Sequence, residues 1–191
     1  MNEELKIEIK KSLEVLKSGG LILYPTDTIW GIGCDATNAA AINKVYELKK
    51  RSDSKSLILL VENESRILSY VREVPEQAWT LIEFAEKPLT IIYEEAKNLP
   101  QEIIAADGSI AIRVTKDEYC KNLLGLFRKP LVSTSANISG DSAPSSFKDI
   151  SDEIKNGVDY IVNWRQNDNR PQTPSTILRL RKGGLFEFIR K

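Results

Sequence analysis

Three short stretches gather the side chains that could bind a ligand or react with one. The first, YPTDTIWGIG at 24–33, sets the hydroxyls of Thr26 and Thr28 and the carboxylate of Asp27 directly after an apolar segment. Such hydroxyls can hold a small polar ligand, and Gly31 and Gly33 let backbone approach it closely. The same residues also suit a strand-end turn in which Thr and Asp cap backbone groups. Gly31, Gly33 and Ala36 fit the dinucleotide pattern G-x-G-x-x-A. PTDTIW, however, separates them from the strand that should feed the first glycine, so no nicotinamide or flavin site is expected.

The second stretch is basic, with Lys44, Lys49, Lys50, Arg51 and Lys55 inside twelve residues. One reading is a phosphate site, with a forked guanidinium and mobile lysines against oxygens. A solvated helix end, where cations are favoured, is the other. No G-x-x-x-x-G-K-[ST] occurs, so a P-loop is excluded. The third stretch is PLVSTSANISG at 130–140, where Ser133, Ser135, Asn137 and Ser139 alternate and tend to share a face. Such a row can bind phosphate, ribose or a carboxylate without formal charge, or cap a following turn. Arg113 sits inside an apolar strand and needs an anionic partner, either a ligand or a buried Asp or Glu. Ser175 and Thr176 open a strand after a long loop, and Arg190 lies near the end of the last strand.

The sequence has no histidine, which removes Ser-His-Asp and Cys-His chemistry, HExxH zinc sites and histidine relays. An enzyme built this way must position substrates and neutralise charge, or use carboxylates and lysines. Charges balance at 27 basic against 27 acidic residues, so any nucleotide or nucleic-acid contact must come from a local patch. Cys34 and Cys120 are too few for a disulfide scaffold or an all-protein zinc site. The N-terminus mixes both charges and lacks a signal peptide's apolar centre, and no apolar run approaches a membrane span; a cytoplasmic protein is expected.

These side chains must be positioned by elements that the pattern outlines. Leu5, Ile9, Leu13 and Leu16 share one face of a helix over 3–17, ended by Ser18-Gly19-Gly20. Helices are also predicted over 39–50, 75–86 and 117–127. Strands are predicted at 21–24, 57–61, 88–93, 109–114 and 131–135, and at 175–180 and 185–190 as a hairpin around Lys182-Gly183-Gly184. Residues 139–146 and 163–174 read as loops. With 191 residues, 41% apolar and 28% charged, a single α/β domain over 1–191 with a mixed sheet is expected.

Taken in order, the clusters resemble the YrdC family, the short form of threonylcarbamoyl-adenylate synthase. PTDTIWGIG is similar to the family's PTDTVYGLG, and LKKRSDSKSL to its K-x-R segment followed by a lysine and an apolar strand. KPLT, SIAIRV, STSANISG, PSTI and FIRK each resemble a family element at compatible spacing, covering residues 8 to 191.

The resemblance implies a twisted mixed sheet with helices enclosing a concave, positively lined cavity. It also implies condensation of L-threonine, bicarbonate and ATP into threonylcarbamoyl-AMP and pyrophosphate, for threonylcarbamoyladenosine modification of tRNA. Thr28, Arg113, Ser133 and Ser175 would surround threonine. Lys49, Arg51, Lys55, Ser109, Ser135, Asn137 and Arg190 would hold ATP with Mg2+, and no organic cofactor is implied. No side chain is assigned as an acid, base, nucleophile or metal ligand. Partners would include tRNA or tRNA-modification proteins, and no membrane. Departures from the family pattern are Trp30 for tyrosine, AEKPLT for W-P-G-P-L-T around Lys87, and Leu60 where some relatives have histidine. Longer members add a linker and a second domain beyond the point where this sequence stops. The competing reading is a non-catalytic RNA-binding module that uses a basic concave surface.

Overall fold

Asn2 accepts a hydrogen bond from Leu5 N–H through its side chain, and Glu3 and Glu4 follow in the first turn. Cap and dipole together start helix α1, Glu3–Lys17. Asn38, Asp117 and Ser151 cap α2 (Ala39–Leu48), α4 (Glu118–Phe127) and α5 (Asp152–Asn156) in the same way. Helix α3, Gln77–Glu83, has no side-chain cap and is shorter than the 75–86 pattern suggests. The computed structural model describes residues 2–50, 57–168 and 173–191.

The strands are β1 (Ile22–Tyr24), β2 (Gly31–Gly33), β3 (Ile58–Val61), β4 (Leu89–Tyr93), β5 (Ile110–Val114), β6 (Leu131–Ser135), β7 (Tyr160–Ile161), β8 (Thr176–Leu180) and β9 (Phe186–Arg190). Among the described residues they form one sheet in the order β7-β1-β2-β6-β3-β5-β4-β8-β9. Pairs β1–β7, β3–β5 and β4–β8 are parallel and the remainder antiparallel, so the expected mixed sheet is observed. The expected β8–β9 hairpin is present, turning through Gly183 and Gly184 at φ 84° and 83°, values that glycine adopts without strain.

Two features depart from the sequence reading. The G-x-G segment is strand β2, antiparallel to β1, so residues 25–30 form the connection between two strands. Gly31 and Gly33 serve packing: a Cβ on Gly33 would stand 2.6 Å from the Tyr24 ring and 3.0 Å from the Val132 carbonyl. Residues 152–161 supply α5 and edge strand β7, where no element was expected. Both cysteines are free and buried, with no disulfide between them.

Alternation decides what each face of the sheet carries. Leu23, Ile32, Leu59, Ile91, Ile112 and Leu178 point to one side and form the larger core with Ile42, Val45 and Ile154 of α2 and α5. On the other side α1 and α4 cover Ile22, Tyr24, Leu60 and Leu131 with Leu5, Ile9, Tyr119 and Leu123. Neighbouring positions with the parity of Leu60 and Leu131 on that second face are Ile58, Ala111, Arg113, Thr90, Ile92, Ile177, Arg179 and Ser133. There the polar strand residues collect.

Candidate active site

That second face floors a cavity of about 710 Å3, well inside the range of small-molecule sites. Lys49, Lys50, Arg113, Arg179 and Arg190 line it together with Thr28, Ser109, Ser133, Ser135, Asn137 and Ser175, and no Asp or Glu is among the described lining residues. Nine expected site residues therefore converge: Thr28, Lys49, Ser109, Arg113, Ser133, Ser135, Asn137, Ser175 and Arg190. Arg51 and Lys55 lie outside the described residues. The basic cluster divides, because Lys44 points elsewhere and donates to the Gly19 carbonyl at 3.0 Å.

At one end the connection 25–30 meets Arg113. Thr26 donates to the Ile29 carbonyl at 2.8 Å and hydrogen-bonds Thr28 Oγ1 at 2.9 Å, so this segment does cap itself. Thr28 Oγ1 in turn accepts from Arg113 Nη1 at 3.2 Å. Arg113 is 3% exposed, and its Nη2 stands 3.4 Å from Asp27 Oδ1. Asp27 is fixed by Thr115 Oγ1 at 3.2 Å and Lys116 N at 3.1 Å, both donating to its Oδ2. Asp27 thus supplies the carboxylate partner expected for Arg113. Arg113 has this half-buried carboxylate nearby, yet its Nε and Nη2 make no hydrogen bond within the protein. Buried donors without acceptors are costly, and an anionic ligand would satisfy them.

Across the floor, Thr90 is the register partner of Arg113 and hydrogen-bonds Ser175 Oγ at 2.8 Å. Arg190 donates to the Ser175 carbonyl from Nε at 3.0 Å and from Nη2 at 2.8 Å. Burial, and then the like charge of Arg113, lower the Arg190 pKa below its ordinary value. Two guanidiniums in one cavity favour a bound anion.

The opposite wall is the segment after β6. Lys49, 2% exposed at the end of α2, donates to the carbonyls of Ser135 and Asn137 at 2.6 Å each. Ser139 N–H returns a bond to the Lys49 carbonyl at 3.0 Å. Asn137 donates to the carbonyls of Ile138 and Asp141, while its buried Oδ1 has no partner. Lys49 therefore braces the wall as well as charging it. Trp30, 1% exposed, packs on Phe147 with ring centroids 4.8 Å apart and supplies an apolar margin. Leu60, register partner of Arg113, is sealed in the α1–α4 core and does not line the cavity.

Sequence reasoning did not single out Thr90 and Arg179 as site residues, and Asp27 was left among capping groups. Strand parity carried the missing signal for the first two, since each is polar at an otherwise apolar inward position of β4 or β8. For a metal, no cluster of three or more His, Cys, Asp or Glu is present among the described residues. The donors offered are hydroxyls and one amide oxygen, a set that fits a Mg2+ keeping phosphate oxygens and water as its own ligands.

The family described as telomere recombination, Sua5/YciO/YrdC, matches residues 14–191. The chain belongs to this family. A threonylcarbamoyl-AMP synthase of Pseudoalteromonas translucida is 34% identical over 182 residues, covering 93% of this chain and 96% of that protein. Among Sua5/YciO/YrdC structures, P. abyssi Sua5 complexed with L-threonine matches with a TM-score of 0.82 and 26% identity. That match covers 94% of this chain and 52% of the other, so the chain spans about half of that relative's length. E. coli YciO matches with a TM-score of 0.85 at 23% identity, covering 100% of this chain and 91% of that one, a likeness of fold.

Proposed function

We propose that this chain is an L-threonylcarbamoyladenylate synthase that condenses L-threonine, bicarbonate and ATP, working as a single domain over 1–191 in the cytoplasm. The observation that carries the reading is the cavity's charge. Among the described lining residues, cations and strand-borne hydroxyls are present and no carboxylate is, and Arg113 keeps two buried donors unsatisfied. Thr28, Arg113, Ser133 and Ser175 are assigned to threonine, with the Arg113 donors facing its carboxylate. Lys49, Arg51, Lys55, Ser109, Ser135, Asn137 and Arg190 are assigned to ATP.

The chemistry asks for placement and charge stabilisation. Threonine's amine takes up bicarbonate-derived carbon dioxide to give a carbamate. A carbamate oxygen then attacks the α-phosphorus, and the bond to pyrophosphate breaks. Charge gathers on phosphate oxygens beside Lys49 and Arg190, and holding the labile carbamate in line supplies the rest. The Ser135 hydroxyl and the Asn137 amide oxygen would help hold a Mg2+ brought with the triphosphate, and the ion would add further neutralisation there. The product would serve threonylcarbamoyladenosine modification of tRNA.

A non-catalytic RNA-binding module is the weaker reading, because a concavity of about 710 Å3 suits a small molecule rather than an RNA backbone. The test is pyrophosphate release from ATP with threonine and bicarbonate omitted in turn and serine substituted for threonine. Release that needs both threonine and bicarbonate is the expected result. No release above background from folded protein would overturn the proposal.

A further inference from the structure

Asp107, Ser109 and Arg179 form a linked group whose geometry restricts what the cavity can recognise. Ser109 is 3% exposed and lines the cavity. Its hydroxyl donates to Asp107 Oδ1 at 2.5 Å, and its backbone N–H donates to the same oxygen at 3.0 Å. Its carbonyl accepts from Ala105 N at 2.9 Å. Arg179 Nη1 holds the other carboxylate oxygen of Asp107 at 2.8 Å. With both donors of Ser109 committed, only hydroxyl lone pairs remain for a ligand.

This inference rests on the proposed synthase reading. Phosphate oxygens of ATP are acceptors, so they cannot use such a group. The donors of ATP are the exocyclic amine of the base and the two ribose hydroxyls. Apolar neighbours in the lining, Ile103, Ala105, Ala111 and Ile92, suit the face of a purine or sugar. Ala111 and Arg179 flank Ile92 in register across β5, β4 and β8, so Arg179 sets the Asp107 end of the same surface. We propose that Ser109 reads a hydrogen-bond donor on the nucleoside half of ATP, and that Asp107, held by Arg179, is the positioning residue that makes it an acceptor only. Hydrogen bonds from Ser109 and then Arg179 lower the Asp107 pKa to about 2, so it stays an ionised acceptor at working pH.

The experiment measures calorimetric binding of ATP, purine riboside triphosphate (which lacks the amine), 2′-deoxy-ATP, 3′-deoxy-ATP and inorganic tripolyphosphate. The proteins are wild type, Ser109→Ala, Asp107→Ala and Asp107→Asn, each first shown to melt cooperatively. Ser109→Ala should weaken ATP about threefold to tenfold, the range of one neutral hydrogen bond, and leave tripolyphosphate unchanged. The loss should vanish for the one analogue that lacks the donor, which separates amine from ribose. Asp107→Ala should reproduce part of that analogue-selective loss. Asp107→Asn, which keeps an acceptor oxygen, should restore it, whereas a merely structural brace would not alter selectivity among analogues. Equal loss for every nucleotide, loss for tripolyphosphate, or no loss at all overturns the inference while leaving an active wild type intact. A wild type that neither binds ATP nor releases pyrophosphate overturns the synthase reading and this inference together.

Discussion

Nη2 of Arg113 stands 3.4 Å from Oδ1 of Asp27, and neither atom makes a hydrogen bond. The carboxylate thus lies close enough to offset the buried charge while the guanidinium fork stays unspent. Arg113→Lys keeps a cation opposite Asp27 but removes the fork. The expected outcome is near-wild-type folding and a loss of about 100-fold or more in kcat/KM for threonine, from two charge-assisted hydrogen bonds. Steady-state pyrophosphate release checks it; a kcat/KM for threonine within twofold of wild type would separate Arg113 from the anion.

Lys49 joins the end of α2 to the segment after β6 through two carbonyls. Lys49→Met removes both bonds and leaves those oxygens short of a donor. Unfolding free energy should fall by about 2–4 kcal/mol in urea titration, alongside weaker ATP binding. Unchanged stability would mean that residues 135–139 are held by other contacts.

Gly33→Ala forces a methyl against the buried Tyr24 ring and the Val132 carbonyl. Backbone cannot yield cheaply there, so a loss of about 1–3 kcal/mol is expected, measured by thermal or chemical melting. A neutral substitution would contradict the close β1–β2–β6 packing.

Asp107 carries a pH signature. Its pKa is lowered from 3.8 to about 2 by Ser109 and Arg179, so the folded state favours its ionised form. The stability this contributes is complete above the unfolded value of 3.8 and is lost as pH falls toward 2. Wild type should therefore melt above Asp107→Asn near neutral pH, with the difference closing between those two values. A difference independent of pH would assign the effect to something other than ionisation.

Much of this arrangement was legible in the residues. SIAIRV and PLTIIY each carry a polar side chain at an inward parity position, and alternation alone puts Arg113 and Thr90 on one face once the strands are paired. The row Ser133, Ser135, Asn137 and Ser139 proved to line the cavity along its whole length. Less was readable where PTDTIW and two glycines mimic a loop, since β2 exists through pairing with Tyr24 and Ser135 rather than through its own propensity. Strand β7, two residues long, offers too few positions for a period to register.

By itself the amino-acid order determined the types of the longer periodic elements, the absence of histidine chemistry and the set of hydroxyls and cations available for binding, because these depend on residue identity and short spacing. Tertiary structure alone decided which charges are already committed. Arg113 reaches Thr28 across 85 positions and Lys49 reaches Ser135 across 86, and no local pattern encodes a partner so distant in the chain. Folding brings such pairs together by burying the apolar faces beneath them, and only then does a cation become a brace, a binding group or both.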